Sequence, residues 1–143
     1  KRRMNMDNYT DIEAFLNPVQ EEEVKIAISD RFKNKDGETV KWVLKAVPTP
    51  VANAIRKKYT KIDNKGRTTI DGTKINTELA AVTVVYPNLK DERLQNAYGT
   101  CGELDTLYAM LRDGEVSRLV KEALKVNGYG KSLEEAVEEV KNV

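Results

Sequence analysis

The chain has 143 residues, of which 40% are apolar and 33% charged, with a net charge of +1, one cysteine and no histidine. A chain of this size makes one domain that buries about 68–70% of the surface it exposes when unfolded, enough for a core of its own. The longest apolar run, residues 79–86, is interrupted by Thr83 and falls far short of the roughly 20 residues that a membrane-spanning helix needs. The lone Cys101 excludes an internal disulfide, and the expected compartment is a reducing cytosol. Without histidine there is no Ser-His or Cys-His pair and no imidazole metal ligand, so neither catalysis nor a metal or other cofactor is expected.

Lys1-Arg2-Arg3-Met4-Asn5-Met6 is basic but lacks the apolar segment of a secretory signal. Residues 1–9 are read as a disordered tail or as residues added for expression, and residues 10–143 as a single domain. Thr10, with Glu13 three residues on, forms a capping box for a short helix whose Ile12, Phe15 and Leu16 share a face before Asn17-Pro18 stops it. A strand follows, in which Val24, Ile26 and Ile28 alternate with Lys25 and Ala27. Asp36-Gly37 is a hairpin turn. The return strand sets Val40, Trp42, Leu44 and Ala46 on one face and Lys41, Val43 and Lys45 on the other. One side of this hairpin is apolar, and helices must cover it.

Thr49-Pro50 reads as an N-cap followed by proline at the first helical position, with Val51, Ile55, Tyr59 and Ile62 at helical spacing behind it. Residues 63–74, rich in Asp, Asn and Gly, read as an exposed loop. Residues 75–86 suit a buried helix through Ile75, Leu79, Val82 and Tyr86, or a strand through the β-branched Val82-Thr83-Val84-Val85; their length and the Pro87 stop favour the helix. Residues 91–98 form a helix ended by Gly99. Residues 103–111 form another, with Leu104, Leu107 and Leu111 on one face. Residues 115–126 form a third through Val116, Leu119, Val120, Ala123 and Leu124, ending near Asn127-Gly128.

The last helix, residues 132–142, opens with a Ser132/Glu135 capping box and carries Leu133, Ala136, Val137 and Val140 on a narrow stripe, with Glu134, Glu135, Glu138 and Glu139 on its acidic face. It follows the Gly128-Tyr129-Gly130 break. It is expected to dock weakly and to supply a partner-binding or self-association surface made of Leu133, Ala136, Val137, Val140, Glu134 and Glu138; the alternative is an ordinary closing helix of the core. No repeat of 20–50 residues is present. The expected fold class is α+β, an N-terminal β-hairpin sheet packed against a mainly α-helical C-terminal bundle.

Charge is unevenly spread: residues 1–75 hold 16 Lys and Arg against 11 Asp and Glu, and residues 76–143 hold 8 against 12. Arg56, Lys57, Lys58, Lys61, Lys65, Arg67 and Lys74 stand against only Asp63 and Asp71. No aromatic interleaving or base-reading motif accompanies these charges, so a solvated helix face running into a loop is favoured over a nucleic-acid surface. Asn34, Asp36 and Gly37 fall like part of a calcium loop, but Phe32 and Val43 occupy its first and last ligand positions. Gly130-Lys131-Ser132 resembles the end of a phosphate loop, but Lys125 stands where its leading glycine belongs. Cys101, beside Gly99 and Gly102, reads as a loop thiol with no base to activate it.

One long segment, Val84-Val85-Tyr86-Pro87-Asn88-Leu89-Lys90-Asp91-Glu92-Arg93-Leu94-Gln95-Asn96-Ala97-Tyr98-Gly99, is followed by Met110-Leu111, Gly114-Glu115 and Asn127-Gly128-Tyr129, and preceded by Ser29-Asp30-Arg31-Phe32-Lys33 and Val40-Lys41-Trp42. This order resembles the XkdN-like tail assembly chaperones of phages and prophages of Gram-positive bacteria, over residues 10–142. The resemblance implies a chaperone that binds the apolar, helical tape measure protein and keeps it soluble until the tail tube polymerises. It also favours the helical reading of residues 75–86. It implies action in the host bacterial cytoplasm, absence from the mature virion, no membrane, and contact with tail tube protein through a frameshifted longer form. Two other classes compete: a small nucleic-acid-binding phage regulator using residues 56–74, and a structural tail or head-tail joining subunit.

Overall fold

The computed structural model describes residues 11–130. Within them the elements run α1 (Glu13–Leu16), β1 (Val24–Ile26), β2 (Trp42–Leu44), α2 (Thr49–Lys58), β3 (Thr60–Ile62), β4 (Thr68–Ile70), α3 (Gly72–Thr83), β5 (Val84–Tyr86), α4 (Glu92–Tyr98), α5 (Glu103–Met110) and α6 (Asp113–Leu124). A wider helical turn, Lys125–Tyr129, prolongs α6. The α+β class is as expected. An antiparallel sheet in the order β1-β2-β5 lies against the helices, and β3-β4 is a separate two-stranded ribbon.

The first hairpin follows its alternation. Trp42 and Leu44 are buried on the inner face while Lys41 and Lys45 are exposed. Its tip closes as expected: Asn34 Oδ1 accepts the Asp36 and Glu38 N–H groups, and Gly37 adopts φ +80°, a conformation that only glycine takes without strain. The two arms are unequal, however. Residues 27–32 lie between the paired Ile26 and Lys33, against residues 40–41 between Thr39 and Trp42. The surplus on the first arm bulges toward the helices, taking Ile28 and Ser29 into the interior.

Several expectations are corrected. The first helix begins at Glu13 with Ile12 at its N-cap and no capping side chain; Thr10 lies outside the described residues. Its apolar face packs on nothing described, leaving Phe15 77% exposed. In α2 the N-cap is Pro48 and not Thr49, because the Pro48 carbonyl takes up the Val51 N–H that a Thr49 hydroxyl would have capped.

Ile62 does not continue α2, and residues 63–74 are not a loop. Thr60↔Ile70, Lys61↔Thr69 and Ile62↔Thr68 pair as a second hairpin, its tip held by Asp63 Oδ1 on the Lys65 and Arg67 N–H groups. Five β-branched residues in these two strands favour extended backbone, and the chance helical spacing of Ile62 from Tyr59 hid them. Residues 75–86 are helical only to Thr83. Val84–Tyr86 instead pairs with β2, through Leu44↔Val84 and Val43↔Tyr86, because the vacant edge of β2 offers ladder partners to a β-branched segment.

The helix α3 is the spine. Asp71 caps it by accepting the Lys74 N–H. Ala80 and Ala81 enter the main core with Ile28, Trp42, Leu44, Leu107, Leu119 and Ala123. Ile75 and Leu79 form a second cluster with Ile55 of α2. The helix expected at residues 115–126 starts two residues earlier, where the Glu115 carboxylate accepts the Arg112 N–H at 2.8 Å. The expected helix at residues 132–142, with Leu133, Ala136, Val137, Val140, Glu134 and Glu138, lies outside the described residues.

Asn127 ties three elements together. Its Oδ1 accepts the Val47 N–H at 3.0 Å, and its amide nitrogen donates to Thr83 Oγ1 and to the Ala123 carbonyl. Both N–H donors and the oxygen of the amide are engaged, and the Val47 donor fixes which end is oxygen. Asn127→Ala is expected to cost about 1–3 kcal/mol by stranding the Val47 N–H, read as a lower urea midpoint with an unchanged slope.

Candidate functional site

The segment that carries the sequence resemblance is one local device. Asn88 Oδ1 accepts the Lys90 N–H, the Asp91 N–H returns to the Asn88 carbonyl, and Leu89 is driven into the core at 1% exposure. Asp91 then caps α4 by accepting the Arg93 and Leu94 N–H groups. Its side-chain and backbone bonds from Arg93 hold the Asp91 carboxyl down to about 2. Gly99 ends α4 at φ +64°, with its own N–H on the Asn96 carbonyl and that of Thr100 on the Gln95 carbonyl.

This strand–turn–helix unit presents Tyr86, Pro87, Leu94 and Tyr98 to one side. Trp42 forms the floor beneath them, with Phe32 tilted against it at 6.0 Å between ring centroids. The resulting cleft is about 360 Å³, with Arg31 and Lys33 among its lining residues. A second cleft of about 410 Å³ shares Tyr86, Pro87 and Leu94 and extends along α4 to Ala97. Together they form one groove beside the outer strand β5. Tyr86 is 54% exposed and Tyr98 39%, so part of each ring faces solvent, with Arg31, Lys33, Asp91 and Arg93 also on the lining.

The groove's back wall is clamped by residues far apart in sequence. Arg31 donates to the Met110 carbonyl at 2.5 Å and to Glu115 Oε1 at 3.1 Å, and its guanidinium lies 5.3 Å from the Phe32 ring centre. The Ser29 hydroxyl, the Arg112 N–H and the Arg31 guanidinium together hold the Glu115 carboxyl down to about 2. Arg118 donates to the Ile28 carbonyl. Ser29, Arg31, Met110 and Glu115, which belong to three of the separate sequence motifs, thus form one structural contact.

A more polar cleft of about 450 Å³ contains Lys58, Tyr59, Glu78 and Cys101. Lys58 Nζ and the Tyr59 hydroxyl both donate to Glu78 Oε1, at 2.8 and 2.9 Å, which ties the end of α2 to α3. Cys101 is an exposed loop thiol. No group of three or more His, Cys, Asp or Glu that could hold a metal occurs among the described residues, and no described helix is long and apolar enough to cross a membrane.

Residues 12–141 match the family of phage XkdN-like tail assembly chaperone proteins. The chain belongs to this family. It is 29% identical over 143 residues to the phage-like element PBSX protein XkdN of Bacillus subtilis (strain 168), covering 95% of this chain and 97% of that one. It is 33% identical over 129 residues to the protein YqbN of the same strain, with 87% of each chain covered. The crystal structure of YqbN superposes with a TM-score of 0.69 at 28% identity, over 80% of this chain and 94% of that one. The family is one of tail assembly chaperones and not a class of enzymes.

The site residues expected from the sequence all fall beyond residue 130, outside the described residues. The groove residues Phe32, Tyr86, Pro87, Leu94 and Tyr98 were not expected as a site. A usable signal was present: tyrosines at both ends of the 86–98 segment, on an element too short to bury them.

Proposed function

We propose that this chain binds the tape measure protein during tail assembly, taking an apolar helix of it into the groove beside Tyr86 and Pro87. The observation that carries this reading is the groove itself, an aromatic and aliphatic trough bordered by charged side chains and formed largely by the segment that carries the sequence resemblance. An amphipathic helix docks through apolar anchors one or two turns apart, and a trough of rigid aromatic walls suits such anchors. The chaperone would keep the tape measure protein soluble in the host cytoplasm until the tail tube polymerises, then leave before the virion is complete. Contact with tail tube protein, through a longer frameshifted form, belongs to the same reading.

Paired substitution Tyr86→Ser/Tyr98→Ser tests it. Both side chains are substantially exposed, so the melting temperature is expected to stay close to that of the unmodified protein. Each aromatic anchor is worth about 2 kcal/mol at a binding hot spot, roughly 30-fold in affinity. Coexpressed tape measure protein is therefore expected to move from the soluble to the insoluble fraction. If it stays soluble with the doubly substituted protein, the groove is not the binding site; if the unmodified chain fails to solubilise it, the whole reading falls.

A further inference from the structure

The segment before β1 is an arm. Residues 11–25 are all exposed, and Ile12, Phe15, Leu16 and Val19 each leave more than half of their surface in solvent. An isolated helix shorter than about 12–15 residues is marginal in water. The four residues of α1 therefore need a surface to form on, and the described part of their own chain supplies none.

The arm is also strongly acidic. Asp11, Glu13, Glu21, Glu22 and Glu23 stand among residues 11–23 with no lysine or arginine. The cleft over Trp42 has the opposite character, since Arg31 and Lys33 line it and no carboxylate does. Arg31 is engaged by Glu115, but Lys33 Nζ donates to the Thr39 hydroxyl and has no carboxylate partner among the described residues. Apolar anchors on an acidic segment match aromatic walls bordered by cations.

The arm's own groove is poorly placed for it. Val24, Leu44 and Val84 are paired at one end of the sheet, whereas Trp42 and Tyr86, which line the groove, lie toward the other. The arm joins the sheet at Val24, on the edge strand across β2 from β5. To enter its own groove it would have to turn back along the sheet and cross it. The arm of a second copy meets no such reversal, and residues 17–23 span about 23 Å when extended, enough to carry α1 clear of its own domain.

We propose that the arm of one copy docks in the groove of a second, with Phe15 and Leu16 on the aromatic walls and the acidic residues toward Arg31 and Lys33. The inference rests on the reading that this groove receives a tape measure helix, and adds its regulation: free chaperone associates through its arms, and the client displaces them. Sedimentation velocity on the full-length chain tests it. The unmodified protein is expected to associate as concentration rises. Phe15→Ser/Leu16→Ser and Tyr86→Ser/Tyr98→Ser are each expected to stay monomeric with unchanged melting temperatures, since each lost anchor costs roughly 30-fold in affinity. The first variant keeps its groove and the second its arm, so a one-to-one mixture of them is expected to form pairs and nothing larger. An unmodified chain that stays monomeric overturns the proposal, as does either variant that still associates alone or a mixture that stays monomeric.

Coexpression with tape measure protein separates this inference from the reading beneath it. The arm variant is expected to keep the tape measure protein soluble; if it does not, the arm itself holds the client and the inference falls. If the client is solubilised but the unmodified chain never associates, only the arm's role falls. If the chain associates through arm and groove yet leaves the client insoluble, the groove's function falls and the pairing stands.

Discussion

Trp42→Ala is expected to lower unfolding free energy by about 3–5 kcal/mol, the range for deleting a large buried aromatic side chain. Trp42 is 1% exposed on the central strand β2, with Phe32 on one side and the buried residues of α3, α5 and α6 behind it. None of these neighbours can collapse inward easily, because the strand is fixed on both edges by β1 and β5. A domain of this kind has about 5–15 kcal/mol in total, so the variant is expected to retain a folded state of much reduced stability, or none at physiological temperature. Urea unfolding followed by far-ultraviolet circular dichroism checks it. A loss below about 1 kcal/mol would show that the indole is not the packing centre of this core.

The second large effect concerns acid. The Glu115 carboxyl is held at about 2 against an ordinary 4.5, so its folded-state pKa is depressed. Its contribution is therefore fully present above about 4.5 and is lost as pH falls toward 2. The shift sets an upper bound of about 3 kcal/mol at 1.36 kcal/mol per unit. Arg31 is 38% exposed and Glu115 13%, so solvent screening brings the expected value nearer about 2 kcal/mol. Glu115→Gln keeps an acceptor for the Arg112 N–H but removes the charge facing Arg31. At pH 7 the variant is expected to be less stable by about 2 kcal/mol, and the gap is expected to close as pH approaches 2. Parallel stability curves for the two proteins from pH 7 to pH 2 would refute this account of the clamp.

The clamp also explains why motifs far apart in the chain go together. Arg31 and Glu115 are separated by 84 positions yet meet at 3.1 Å, and Asn127 reaches Val47 across 80. No local rule predicts such a pair. Sequence periodicity sees a side chain and its neighbours within a turn or a strand, whereas the first contact arises only when the bulged first arm of the hairpin folds over the start of α6, and the second only when the far end of that helix reaches the segment before α2.

Local chemistry in the sequence was enough for the first hairpin, through the alternation around Trp42 and the Asn34–Gly37 turn, and for α4, through Asp91 and Gly99. These features are legible because a cap, a turn or an alternating face is decided by a few adjacent residues. The ordered motifs identified the chaperone family in the same way. The switch from α3 to β5 at Thr83 and the second hairpin were settled by tertiary structure, because β-branched residues in both places suit helix or strand until a ladder partner is in reach. The groove beside Tyr86 and the clamp behind it also belong to the folded chain alone, since they are built from segments up to 90 residues apart whose meeting depends on the packing of the whole core.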